Sequence, residues 1–305
     1  MEVTELRSHL PRTLAEALTI RKNCSAIPFA GGTDAIVQRR TWAGVPVQFQ
    51  ADVLFLQYIQ ELTKMEIEKG QIQIGAMVKL ADLAEYVLAN PHLLPHVLAE
   101  IIQEMASPAI RNIGTIGGNI CNASPAGDLF PFLYAMDAQV EVQSLAGTRV
   151  LPINEFWQGP RRIQLASDEL LTKVIIPYAG KATYEVEAGS AYREDWTVQY
   201  YKKVGTRKTE TLSKLSFLGL MKLSDNGQMI EDVRISFGAV APVAVRSIAI
   251  EQGLIGLSVA QVKDQLDSIL NQYEPLIAPI DDQRSTAAYR KKVALRILRH
   301  FLKEL

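Results

Sequence analysis

Apolar and polar side chains alternate strictly in Met65-Glu-Ile-Glu68 and again in Gln71-Ile-Gln-Ile74, on either side of Lys69-Gly70. A period of two around a short glycine-containing break predicts a β-hairpin. Alternation around Gln139–Gln143 and Arg149–Ile153, and the apolar run Leu171–Ile176, predict further sheet. Helical patterns cover about 80–89 and 95–105. Ser107-Pro108 ends the second, because the residue before proline is pushed out of the helical region. From Arg111 to Asp128 glycine and asparagine abound and no period survives, so loop or irregular strand is expected. A helix should start at Asp128, with Pro131 tolerated in its first turn.

Thr13-Leu-Ala-Glu16 has the spacing of a capping box opening a short helix. Farther on, Leu215–Leu223 and Met229–Ala239 flank Asp225-Asn-Gly227, and Asn-Gly suits the two positive-φ positions of a tight hairpin. Ser258 should cap a helix whose Val259, Val262, Leu266, Ile269 and Leu270 form one apolar stripe, and a last helix should run from about Arg290 to the end. The stretch from Pro177 to Thr197, rich in Gly, Ser and charge, reads as a domain boundary. Strands followed by helices without regular βαβ alternation indicate an α+β architecture.

Composition narrows the function. A chain of 305 residues fits about two domains. The net charge is −1 and Lys and Arg are evenly spread, so no nucleic-acid partner is expected. No run approaches the ~20 apolar residues of a membrane span. MEVTELRSHLPR carries two acids and no apolar run, which argues against a secretory signal. Cys24 and Cys121 are the only cysteines, so a reduced, cytoplasmic setting is expected and the four thiolates of an iron–sulfur cluster are lacking. His92 and His96 stand four apart, but Pro95 between them belongs in a helix's first turn. His92 therefore precedes the helix, and no metal site is expected.

Two glycine-rich stretches carry the candidate chemistry. In Pro28-Phe-Ala-Gly-Gly-Thr-Asp34 an apolar run ends in Gly31-Gly32, where the backbone turns sharply and approaches a ligand with no Cβ in the way. Consecutive N–H groups in such a turn suit phosphate. A lone Gly-Gly is more often a simple tight turn, and the GxGxxG spacing of a Rossmann site is missing. The second stretch, Thr115 to Asp128, adds Gly117-Gly118 flanked by Thr115 and Asn119, then Asn122 and Ser124. Two such loops can clasp a pyrophosphate from both sides. Asp34 and Asp128 would repel phosphate, so they accept from ribose or ribityl hydroxyls or cap helices.

At these residues the chain resembles the FAD-binding flavoprotein subunits of the molybdenum hydroxylases, the group of xanthine dehydrogenase and carbon monoxide dehydrogenase. AGGTD at 30–34 and TIGGNICNASPAGD at 115–128 look like their paired FAD loops. GPRR at 159–162, ELLTKVIIP at 169–177, KKVGTRKTETLSKLS at 202–216, FGAVAPVAVR at 237–246 and DDQRSTAAYRKKVA at 281–294 extend the likeness nearly end to end. The resemblance implies a fold of the vanillyl-alcohol-oxidase (PCMH) type over 1–177, with subdomains of about 1–58 and 59–177, and a smaller α+β domain over 184–305. It implies that Ala30, Gly31, Gly32, Thr33 and Asp34, with Thr115, Ile116, Gly117, Gly118 and Asn119, surround the pyrophosphate. Asn122, Ser124 and Asp128 would line the ribityl or ring side, and Leu171 and Lys203 would lie close to the isoalloxazine. A cation there favours reduced flavin; by pattern alone, Lys202, Lys203, Arg207 and Lys208 read as a solvated strand edge. Some members carry a cysteine-rich insertion holding another cluster, which two cysteines exclude here.

The implied role is electron transfer. A molybdopterin-binding subunit oxidises substrate, an iron–sulfur subunit relays electrons, and the flavin hands them to NAD+ or another acceptor. No nucleophile or general base is expected on this chain. Two alternatives stand at this point: a self-sufficient flavin oxidase or reductase of the same fold, which would need a substrate cap domain, and a scaffold that has lost flavin.

Overall fold

The structure, a computed structural model, describes residues 6–40, 47–177, 196–207 and 210–304. Lys208 and most of the boundary stretch 177–197 lie outside these residues. The N-terminal part has β1 (Ser8–His9), α1 (Leu14–Asn23), β2 (Ile27–Phe29), α2 (Ala35–Arg39) and β3 (Val53–Phe55). Its strands form a parallel sheet in the order β1-β3-β2. Thr13 caps α1 by accepting from Glu16 N–H, but the Glu16 carboxylate reaches past Thr13 to the N–H of Arg12, so the predicted box is only half closed. Ala17, Leu18, Ala26, Leu54 and Leu56 bury a small core there, completed by Ile59, Leu62, Met77 and Leu170.

The middle part begins with the expected hairpin, β4 (Met65–Glu68) and β5 (Gln71–Gly75). Lys69 and Gly70 both have positive φ, as a two-residue turn of this hand requires. There follow α3 (Leu80–Ala89), α4 (Val97–Gln103), α5 (Pro108–Arg111), α6 (Ile116–Asn122), α7 (Leu129–Ala135), β6 (Gln139–Ser144), β7 (Gly147–Pro152), α8 (Ile153–Phe156), β8 (Trp157–Gly159), β9 (Arg162–Ile163) and β10 (Leu170–Pro177). The larger sheet runs β4-β5-β10-β6-β7 and packs its buried face on α3, α4, α6 and α7.

The glycine-rich stretch corrects the expected loop: its middle, Ile116–Asn122, is helix α6, and α5 ends at its first residue, Arg111. α4 stops at Gln103, ahead of the expected Ser107-Pro108 break, and Ser107 instead caps the next helix, with Pro108 in the first turn of α5. Thr115 caps α6 by accepting from Gly118 N–H, and Ile116 and Ile120, one turn apart, are fully buried. Tertiary burial there overrides the low helix propensity of two glycines.

The C-terminal part has β11 (Val198–Val204), β12 (Leu215–Leu223), β13 (Ile230–Gly238), β14 (Val245–Arg246), α9 (Ile248–Leu254), α10 (Val259–Asp264), α11 (Leu266–Tyr273) and α12 (Ala287–Lys303). The strands pair antiparallel in sequence order, with the helices over one face. Between β12 and β13 only Gly227 takes positive φ, because the Asn226 side chain instead accepts from Ser224 Oγ and Gln228 N–H in a wider turn. The predicted single stripe from Ser258 breaks at Gln265 into two helices, and α12 starts earlier than expected, at a Thr286 cap. Leu218 and Leu220 of β12 join the middle core, so the two parts share apolar packing.

Candidate functional site

The first glycine loop connects the end of β2 to α2. Gly32 has φ +69°, a conformation side chains disfavour. A Cβ on Gly31 would lie 2.1 Å from the Ile113 carbonyl oxygen, so only glycine lets this loop press against the segment leading into the second. Among the described residues, no acceptor engages the backbone N–H groups of Gly31, Gly32, Thr33 or Asp34. Four successive free donors in a turn are what an anionic group needs.

The second loop contributes differently from expectation. The N–H groups of Ile116, Gly117, Gly118 and Asn119 are already bonded, to Val78 O, Ala76 O, Thr115 Oγ1 and Thr115 O respectively. Gly117 is required by packing, since its Cβ would stand 2.6 Å from Ala76 O. Gly118 has no such constraint: its Cβ would meet only Thr115 Oγ1 at 3.0 Å and Ala30 Cβ at 3.6 Å. Gly118 therefore opens toward the first loop. Asn119 Oδ1 is buried with no hydrogen-bond partner, a costly state unless a ligand supplies the donor. Ordinary FAD has donors in its ribose, ribityl, adenine and ring groups, so the residues present fit it.

The polar residues around the loops form two chains of contacts. Asp34 precedes α2 without capping it; its Oδ2 accepts from Gln38 Nε2 at 2.7 Å. Gln38 also donates to Asn122 Oδ1 and accepts from Arg161, tying the two loops to the GPRR turn. Ser124 turns back to its own segment and accepts from Ala126 N–H. The second chain is buried. Lys203 Nζ donates to Asp128 Oδ2 at 2.7 Å and to the Glu104 carbonyl, while Ser213 Oγ donates to Asp128 Oδ1 at 2.5 Å. The Lys203 side chain is 4% exposed, so the solvated-edge reading is wrong for it, although neighbouring Lys202 is exposed. Asp128 likewise does not cap α7. Tyr201 OH lies beside this pair, and burial with the Asp128 charge pushes it well above its ordinary range. Leu171 is buried in the middle core next to a bulge in β10.

Gln38, Arg161 and Ser213 are residues the sequence reading misses. Arg161 and Ser213 stand inside two of the resembling segments, and Gln38 follows Asp34 by one helical turn, which was the available signal. Burial pushes the Cys121 thiol up to about 12, which disfavours its thiolate.

A glycine turn with N–H groups unpartnered among the described residues, set against a helix start that carries an orphaned buried acceptor, suits a protein that holds a phosphate-bearing cofactor. Residues 4–179 match the family described as the FAD binding domain in molybdopterin dehydrogenase, and residues 199–305 match the CO dehydrogenase flavoprotein C-terminal domain. The chain belongs to this family: it binds FAD and is an oxidoreductase component of the xanthine dehydrogenase type. It is 31% identical over 245 residues to a xanthine dehydrogenase FAD-binding subunit of Escherichia coli O157:H7, covering 80% of this chain and 77% of that one. It is 27% identical over 295 residues to the glyceraldehyde dehydrogenase medium chain of Sulfolobus acidocaldarius, covering 96% and 95%. Among solved structures, a chain of the copper- and molybdenum-containing CO dehydrogenase superposes with a TM-score of 0.81 at 25% identity, covering 98% of this chain and 97% of that one. The described residues contain no helix long and apolar enough to cross a membrane.

Proposed function

We propose that this chain takes electrons from an iron–sulfur subunit, supplied in turn by a molybdopterin-binding subunit, and passes them by way of FAD to NAD+ or another acceptor. FAD, when bound, supplies both one- and two-electron chemistry, and the protein's part is to bind, orient and tune it. The free N–H groups of Gly31 to Asp34 hold the pyrophosphate, and Ala30 and Gly118 leave the space between the loops open. Thr115, Ile116 and Gly117 set the second loop, and Asn119 accepts from the cofactor. Asn122, Ser124 and Asp128 line the ribityl or ring side, with Leu171 and Lys203 near the isoalloxazine.

What carries the subunit reading is the pairing of this site with a chain that has two cysteines and hence no cluster of its own. The relatives named as an FAD-binding subunit and a medium chain support it. The part of this chain that follows the FAD domain matches a flavoprotein C-terminal domain rather than a substrate cap. Exposed Ile36, Val37, Ile110 and Ile113 flank the two loops in sequence and offer apolar surface for a partner. Val37→Glu with Ile113→Glu should keep FAD but break co-purification with the iron–sulfur chain from the native host. Unchanged co-purification would place the contact elsewhere, and a wild-type chain that purifies alone with hydroxylase activity would overturn the subunit reading.

A further inference from the structure

We propose that His9, Cys24 and Asp52 bind one zinc ion, clamping the small N-terminal sheet at the edge opposite its glycine loop. The three side chains come from separate elements: His9 ends β1, Cys24 is the C-terminal cap of α1, and Asp52 precedes β3. The sheet is parallel, so the starts of β2 and β3 lie along one edge, while the glycine loop leaves the far end of β2. His9 Nε2 is 3.0 Å from Asp52 Oδ2 and 3.9 Å from Cys24 Sγ, and the three ligand atoms all lie within 4.8 Å of one another. Zinc bonds of roughly 2.0–2.3 Å put tetrahedral ligand atoms about 3–4 Å apart, so small side-chain rotations suffice.

The donor set selects the metal. One imidazole nitrogen, one sulfur and one carboxylate oxygen suit zinc and exclude calcium or magnesium, which take oxygen ligands. The His9 and Asp52 side chains are each 24% exposed, so water reaches the fourth position. Asp52 is already oriented, because its other oxygen accepts from Arg7 N–H at 2.9 Å. Cys24 Sγ sits at the C-terminal end of α1, donating to Ile20 O, where the helix dipole favours a cation. Arg21 in the same turn is occupied by the carbonyls of Ala26 and Glu169. On binding, Cys24 releases its thiol proton to solvent, and sulfur bonds to zinc in place of its bond to Ile20 O. His9 keeps one proton, on Nδ1, and offers Nε2 to the metal. No redox change is involved. The clamp would close chain segments of 15 and 43 residues in the part that carries the first FAD loop.

Untagged, FAD-loaded protein should be incubated with zinc, dialysed against metal-free buffer, and its metal and flavin counted together. About one zinc per chain is expected, as for a single tetrahedral site. Cys24→Ser and His9→Gln should lose it and Cys121→Ser should keep it. Asp52→Asn, which can still accept from Arg7, should bind more weakly; even outer-shell changes cost roughly 10–100-fold in affinity. Cobalt in the wild-type chain, which needs no variant, should give ligand-field bands to the red of the flavin absorption. Wild-type protein that retains neither metal, or zinc content unchanged in Cys24→Ser, would overturn the site.

Discussion

Gly31 and Gly118 are both glycines of a flavin loop, yet different forces hold them. An alanine at Gly31 would drive its Cβ into the Ile113 carbonyl, and overpacking of that kind costs about 1–3 kcal/mol, so Gly31→Ala should lower the melting temperature. Gly118 meets no backbone: a replacement presses on the Thr115 hydroxyl, 3.0 Å away, and otherwise fills the space toward Ala30 of the first loop. Gly118→Val should therefore keep its circular dichroism and lose FAD; full flavin occupancy in that variant would remove the two-loop account. The buried pair behaves differently again. Lys203 is bonded to Asp128, so toward a flavin at the proposed site it would count as half of an ion pair rather than as a free cation. Lys203→Met should lower the two-electron potential and Asp128→Asn should raise it, by some tens of millivolts where ~30 mV corresponds to about 1.4 kcal/mol. Shifts of the same sign in both, measured with FAD retained, would place the pair away from the ring.

At the scale of elements, the first strand hairpin is legible because alternation and its glycine-containing break agree: the chain turns at Lys69-Gly70 as expected, both with positive φ. The Asn226-Gly227 turn departs because the Asn226 side chain bonds locally, a choice that no pattern announces. α6 is not legible, since two glycines and two asparagines mask a helix held by buried Ile116 and Ile120 and by backbone bonds to Ala76 and Val78. For the same reason the glycine motif does not announce that the N–H groups without a partner among the described residues lie on the first loop rather than the second. His9, Cys24 and Asp52 are far apart in sequence and carry no ligand spacing. Arg149 of β7 is tied to the residue that precedes β10: its guanidinium donates to both Glu169 oxygens, at 2.7 and 2.8 Å. That bond, with the Ala166 N–H, holds the Glu169 carboxyl below its usual range. A lowered carboxylate pKa gives stability that is present above the unfolded value, ~4.3, and lost as pH falls through the folded one. Glu169→Gln should be less stable than wild type at neutral pH, with the gap closing in acid; a gap independent of pH would mean that packing, not charge, is the cause.

At the scale of the molecule, the C-terminal part is joined to the flavin part by both apolar and charged contacts. Asp137, in the turn after α7, accepts from Arg234 of β13 at 2.5 Å and from Arg246 of β14 at 2.6 Å. Lys203 and Ser213 reach Asp128 across the same junction. The C-terminal part is thus held to the flavin part by buried polar contacts as well as apolar ones. The central claim is that electrons arrive from a partner protein and not from an organic substrate. It is tested by following the flavin absorbance of the purified, FAD-loaded chain without oxygen, first with xanthine or glyceraldehyde and then with the chemically reduced iron–sulfur subunit. The account predicts an unchanged spectrum with the small molecules and bleaching on addition of the reduced partner; bleaching by a small-molecule substrate alone, with no response to the partner, would contradict it.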